Sequence, residues 1–191
     1  MKRLALMFTL LLLCNSLFAE EISLLRKGSW NFGVWTGGGG SINGVSKDTQ
    51  VWLTGGRFGK VLSQERGKGS FRGQLEYSIE AIPAFLIFQK STVYGFDVTP
   101  LMFRWNFTGA KKWVPFFELG AGVLLTSADV PARTYPLNFT PQAGFGVHAF
   151  RTPRQAFTFT FKFMHISNGG LDSPNPGINT VQMIFGYQWS R

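Results

Sequence analysis

Apolar and polar side chains alternate along much of this chain, most clearly between Phe71 and Ala81. In an extended segment Phe71, Leu75, Tyr77, Ile79 and Ala81 share one face, and Arg72, Gln74, Glu76, Ser78 and Glu80 share the other. The same two-residue period predicts strands over residues 29–36, 50–62, 92–107, 113–126, 138–150, 154–167 and 179–190. With residues 71–81 that makes a set of eight. One face of each strand is rich in aromatic and branched side chains. A soluble sandwich would bury that face, and a barrel in a membrane would turn it to lipid. Eight strands form the smallest common closed sheet, with an interior just wide enough to be filled by side chains.

Composition decides between these environments. Twenty Phe, six Trp and 23 Gly in 191 residues depart from ordinary soluble usage. The chain opens with Lys2 and Arg3, an apolar run from Leu4 to Leu13, and Ala19 at a plausible cleavage point. Residues 1–19 therefore read as an export signal and residues 20–191 as the mature barrel. A lipoprotein reading at Cys14 is disfavoured, because Leu13 occupies a place that calls for a small residue. Cys14 is the single cysteine, so the mature chain has neither disulfides nor thiol chemistry. No later stretch is a continuous apolar run of spanning length. The expected class is all-β: an eight-stranded antiparallel transmembrane up-and-down β-barrel of the bacterial outer membrane.

On this phasing Arg72, Glu76, Glu80, Arg104, Glu118, Gln142, His148 and Lys162 point into the barrel as a mutually satisfied polar plug. The predicted links after the second, fourth and sixth strands (residues 63–70, 108–112 and 151–153) are short. Those after the first, third, fifth and seventh (37–49, 82–91, 127–137 and 168–178) are longer. Short turns on the periplasmic side and long loops outside are the usual asymmetry, which places the last long loop at the outer leaflet.

The mature chain keeps 17 basic residues (19 minus Lys2 and Arg3) against 10 acidic ones, a net +7. Arg66, Lys68, Lys111, Lys112, Arg151 and Arg154 lie in the short turns and form no helical or aromatic recognition surface, which argues against nucleic acid as a partner. Gly37 to Gly40 reads as a loop; with no helix after it, it is not a phosphate cradle. No His/Cys/carboxylate grouping has metal-ligand spacing, and neither a metal nor another cofactor is expected.

The candidate chemistry is concentrated in residues 161–179, F-K-F-M-H-I-S-N-G-G-L-D-S-P-N-P-G-I-N. On one strand Phe157, Phe159, Phe161, Phe163, His165 and Ser167 share a face. On the next, Asn179, Val181, Met183, Phe185, Tyr187 and Trp189 share one. A histidine and a serine two residues apart point the same way, so that imidazole can take the hydroxyl proton during attack on an ester. Asn179, across the hairpin, is a candidate to hold the imidazole, and Asn168 offers amide donors to a developing oxyanion. Spacing alone leaves the blander alternative open, in which a rim histidine and serine bond to water and headgroups.

His165, Ser167, Asn168, Pro174, Asn175 and Gly177 match the H-x-S-N…P-N-x-G segment of the PagL-type lipid A 3-O-deacylases, which this stretch resembles. The likeness extends more loosely to P-F-F-E-L-G-A-G-V at Pro115–Val123 and to F-x-x-x-A-G-x-G at Phe139–Gly146. The resemblance implies an eight-stranded barrel with a lipid-facing site and lipid A, or lipopolysaccharide, as substrate among outer-membrane lipids. It implies Ser167 as nucleophile, His165 as general base then acid, and an oxyanion site at Asn168, Gly170 and Asn175. Where the family carries a glutamate that orients the histidine, this chain has Asn179, whose amide oxygen can accept the same hydrogen bond without a charge. Phe157, Phe159, Phe161, Val181 and Phe185 would lie against acyl chains. Pairing into a homodimer is left open. Two other classes compete: a non-enzymatic structural or adhesive outer-membrane barrel with an idle site, and a soluble lipocalin-like carrier with its aromatic face inward.

Overall fold

The computed structural model describes residues 23–43, 48–110 and 112–191. The expected signal segment and Lys111 lie outside the described residues. A short 3₁₀ turn, Ser23–Leu25, leads into β1 (Trp30–Asn43), β2 (Gln50–Val61), β3 (Gly73–Phe88), β4 (Thr92–Phe107) and β5 (Trp113–Thr126). These are followed by β6 (Leu137–Phe139), β7 (Gln142–Thr152), β8 (Gln155–Ile166) and β9 (Ile178–Ser190). Apart from β6 and β7, each strand pairs antiparallel with its sequence neighbour. β1 also pairs with β9, so the sheet closes. β6 and β7 both pair with β5 and form one barrel strand interrupted at Thr140–Pro141, which gives the eight expected. Pro141 cannot donate to a ladder, and the interruption falls there.

Two expected loops are strand. Gly37–Gly40 lies within β1, paired to β2 on one side and β9 on the other. Close packing of the neighbouring strand explains the glycines: a Cβ at Gly39 would sit 1.8 Å from the carbonyl oxygen of Val181. Likewise β3 continues to Phe88, across Pro83, where the β3–β4 register shifts between Ile82 and Phe85. The β3–β4 link is therefore only residues 89–91, while the β2–β3 link runs over 62–72 and contains a second 3₁₀ turn, Gly69–Phe71. The expected contrast between short and long links is correspondingly weaker.

The barrel interior is layered. At the end of the barrel where β1 starts and β9 finishes, Leu24, Leu25, Val114, Phe150 and Ala156 form an apolar seal. Above it lies the charged layer: Glu118 accepts from Arg57 (2.9 Å) and Arg104 (2.8 Å), Glu80 pairs with Arg57, and Lys162 lies 3.5 and 3.6 Å from the two carboxylates. His148 Nε2 meets Asn106 Oδ1 at 2.9 Å, and Asn106 donates to Glu76. Glu76, Glu80, Arg104, Glu118, Gln142, His148 and Lys162 are buried inside as the alternation predicts, with one correction, Arg72, and two additions, Asn106 and Arg57. Arg72 precedes β3, is exposed, and pairs with Glu65 at 3.2 Å in the turn. Arg57, unanticipated, bridges Glu80 and Glu118. The opposite half of the interior is apolar rather than polar, filled by Val51, Leu53, Ile82, Phe85, Ile87, Leu124, Met164, Ile166 and Ile178. Outside, an apolar belt including Trp52, Phe103, Phe117, Phe159 and Phe185 covers the wall.

Candidate active site

The site is built where β8 and β9 leave the apolar-filled end of the barrel. Along β8 the burial alternates strictly: Ala156, Thr158, Thr160, Lys162 and Met164 point in, and Phe157, Phe159, Phe161 and Phe163 point out. His165 follows on the outward face, half-buried, and the register places it directly opposite Asn179 of β9. The two side chains meet: His165 Nδ1 lies 2.7 Å from Asn179 Oδ1. An amide oxygen only accepts, so Nδ1 is the donor, and in the neutral ring the lone pair then sits on Nε2. That is the tautomer a general base needs. The far edge of the ring is covered by Gly177, where a Cβ would approach Cε1 to 2.6 Å and Nε2 to 3.2 Å. Gly177 also has φ +62°, so the position demands glycine on two counts.

Ser167 is the first residue beyond β8, and it is buried. Its backbone is held against β6: Ser167 N–H donates to the Phe139 carbonyl at 3.2 Å, and Phe139 N–H donates to the Ser167 carbonyl at 2.7 Å. Among the described residues, no hydrogen bond joins Ser167 Oγ to the imidazole.

The turn that follows is internally braced. Asn168 N–H donates to Asn175 Oδ1 (3.2 Å), Gly170 N–H to Asn168 Oδ1 (2.8 Å), and Asn168 Nδ2 to the Asp172 carbonyl (3.0 Å). Asn168, Gly170 and Asn175 are thus brought together as the sequence suggests, but the donors of Asn168 and Gly170 are engaged within the turn. Asn175 Nδ2 makes no hydrogen bond among the described residues, and its orientation is set by the bond to its own Oδ1. Phe139, Thr140 and Pro141 of the sixth barrel strand flank the site, a placement no residue pattern announces.

A broad apolar groove of about 1080 Å³ runs down the outer wall below the site. Gly38 and Gly40 form its floor, with Trp52 on one side and Phe161, Met183 and Phe185 on the other. It stops one outward pair, Phe163 and Val181, short of His165 and Asn179. His165 and Ser167 themselves do not line it.

The family model described as "Lipid A 3-O-deacylase (PagL)" matches residues 27–188. The crystal structure of the outer-membrane enzyme PagL superposes with a TM-score of 0.61 at 20% identity, covering 81% of this chain and 97% of that one. Neisserial surface protein A superposes with a TM-score of 0.54 at 9% identity, covering 86% and 98%. No curated protein matches the chain.

Proposed function

Since the chain belongs to the lipid A 3-O-deacylase (PagL) family of outer-membrane barrels, we propose that it hydrolyses the ester-linked acyl chain at the 3-position of lipid A by a serine mechanism. The observation that carries this reading is the His165 Nδ1–Asn179 Oδ1 bond, on a histidine two residues before Ser167. In the reaction His165 Nε2 takes the proton of Ser167 Oγ as the oxygen attacks the acyl carbonyl carbon. The resulting oxyanion is stabilised by Asn175 Nδ2, together with the Asn168 and Gly170 amides, which share or exchange their turn partners as the complex tightens. His165 then protonates the departing sugar oxygen, leaving an acyl-serine. Water, deprotonated by His165, attacks that ester and releases the (hydroxy) fatty acid and free Ser167.

The groove supports the lipid side of this reading. An acyl chain attached at the site would pass over Phe163 and Val181 and lie on Gly38 and Gly40. The wall carries apolar side chains throughout, so such a chain leaves the bilayer interior only to enter another apolar surface. We place the site end in the outer leaflet, where lipid A resides; the start of β1 and the end of β9, with Arg66, Lys68, Lys112, Arg151 and Arg154, then face the periplasm.

The test is incubation of the purified barrel with lipid A, followed by mass analysis of both products. Loss of one ester-linked hydroxyacyl group, with free acid recovered and the amide-linked chains untouched, supports the reading. Loss of an acyl chain from another position would replace the 3-position with that one.

A further inference from the structure

The ladder that holds the catalytic strand is incomplete beside His165. His165 N–H donates to the Pro141 carbonyl at 3.0 Å. Pro141 has no N–H to return to the His165 carbonyl, so this pair has one bond where an antiparallel pair normally has two. The residue before the proline is tied down from another direction. Thr140 Oγ1 donates to Asp97 Oδ2 at 2.6 Å, and Asp97 Oδ1 accepts from Thr99 at 2.9 Å. All three side chains are fully buried inside the barrel.

Asp97 is on β4 and Thr140 on the sixth barrel strand, so this bond crosses β5. It crosses at Gly122, where a Cβ would fall 2.5 Å from Thr140 Oγ1, 2.6 Å from Thr99 Oγ1 and 2.9 Å from Asp97 Oδ1. Gly122 and Thr140 also exchange backbone bonds at 2.9 and 3.3 Å. Asp97 pairs in register with Leu124 and Ile82, in the apolar half of the barrel, where a carboxylate is costly unless it is fully bonded. A polar brace built through a gap in the intervening strand, at the point where the ladder is one bond short, has a mechanical purpose.

We propose that Asp97, acting through Thr140, is a positioning residue for the candidate site. It fixes the Phe139–Pro141 segment, which in turn holds the backbones of His165 and Ser167. This rests on the reading of those two residues as the reacting pair. It makes Asp97 and Thr140 contributors to the reaction without contact with substrate.

The experiment compares Thr140→Val, Thr140→Ser and Thr99→Val in the folded, full-length barrel. Both valine variants remove one hydroxyl from Asp97; Thr99→Val also takes the acceptor from Gln142 Nε2 (3.0 Å) but leaves the Asp97–Thr140 bond in place, and only Thr140→Val cuts the direct link from Asp97 to the Phe139–Pro141 segment. Hydrogen exchange of the peptide spanning residues 163–168 is expected to quicken about tenfold in Thr140→Val, as for a lost buried hydrogen bond. It should stay at the wild-type rate in Thr99→Val and Thr140→Ser. With lipid A as substrate, kcat should fall in Thr140→Val with KM unchanged, and Thr140→Ser should restore it. Equal exchange in the two valine variants overturns the proposal, as does faster exchange with unchanged kcat. An inactive wild type would count against the deacylase reading alone, since the exchange comparison still decides whether the brace holds the segment.

Discussion

His165 Nδ1 and Asn179 Oδ1 lie 2.7 Å apart, and because the amide oxygen cannot donate, that contact fixes which nitrogen carries the proton. Asn179 therefore supplies the orientation that a carboxylate would supply. It does not supply the charge that stabilises an imidazolium during proton transfer. Asn179→Glu should raise kcat for lipid A deacylation by about tenfold or more, in keeping with the roughly 1.4 kcal/mol per decade of a barrier change. Asn179→Leu, which removes the acceptor, should abolish turnover while leaving the barrel folded. Steady-state kinetics on the three proteins checks this; a Leu variant as active as wild type would show that Asn179 is idle.

Gly177 makes the second contact with the imidazole. Gly177→Ala forces a Cβ to 2.6 Å from His165 Cε1 at a backbone φ of +62°. It should destabilise the turn by about 1–2 kcal/mol and lower kcat more than KM, because the ring must shift. Kinetics together with exchange of the 168–177 turn reads both effects.

Acyl-chain selection should depend on Gly40. A Cβ there meets only the Thr49 carbonyl, at 3.7 Å, so Gly40→Leu fits without moving backbone and projects into the groove. The variant should favour shorter 3-acyl chains than wild type. Gly56→Leu is the control: its Cβ has similar room, 3.6 Å from the Gly33 carbonyl, and Gly56 does not line the groove. Competition between lipid A species of different chain length, read by mass spectrometry, gives the ratio directly.

Breaking the charged layer should cost stability. Glu118 is the acceptor for both Arg57 and Arg104 and lies near Lys162. Glu118→Ala would leave Arg104 without its carboxylate, and Arg57 and Lys162 with Glu80 alone, and should lower barrel stability by about 3–5 kcal/mol. The folded-to-unfolded shift in electrophoretic migration against urea measures it.

Much of this was legible in the sequence because one period, two, governs it. The strand faces, the inward set from Glu76 to Lys162, and the meeting of His165 with Asn179 all follow from alternation plus a hairpin. Alternation fails where side chains are missing or backbone bends. Gly37–Gly40 shows no face at all, so a paired strand passes for a loop. Pro83 looks like a strand end, yet it sits at a register shift inside β3. Arg57 was hidden behind Gly55 and Gly56, where β2 and β3 also slip register. The engagement of Asn168 within its own turn, and the approach of Phe139 to Ser167, depend on backbone bonds that no residue pattern announces.

The most direct measurement is the mass spectrum of lipid A from cells carrying this protein in the outer membrane, beside cells carrying Ser167→Ala. Loss of one ester-linked hydroxyacyl mass in the first and an intact molecule in the second is the predicted result. Lipid A that is unchanged with the wild-type barrel folded in the membrane, or trimmed equally by Ser167→Ala, would contradict a serine deacylase at this site.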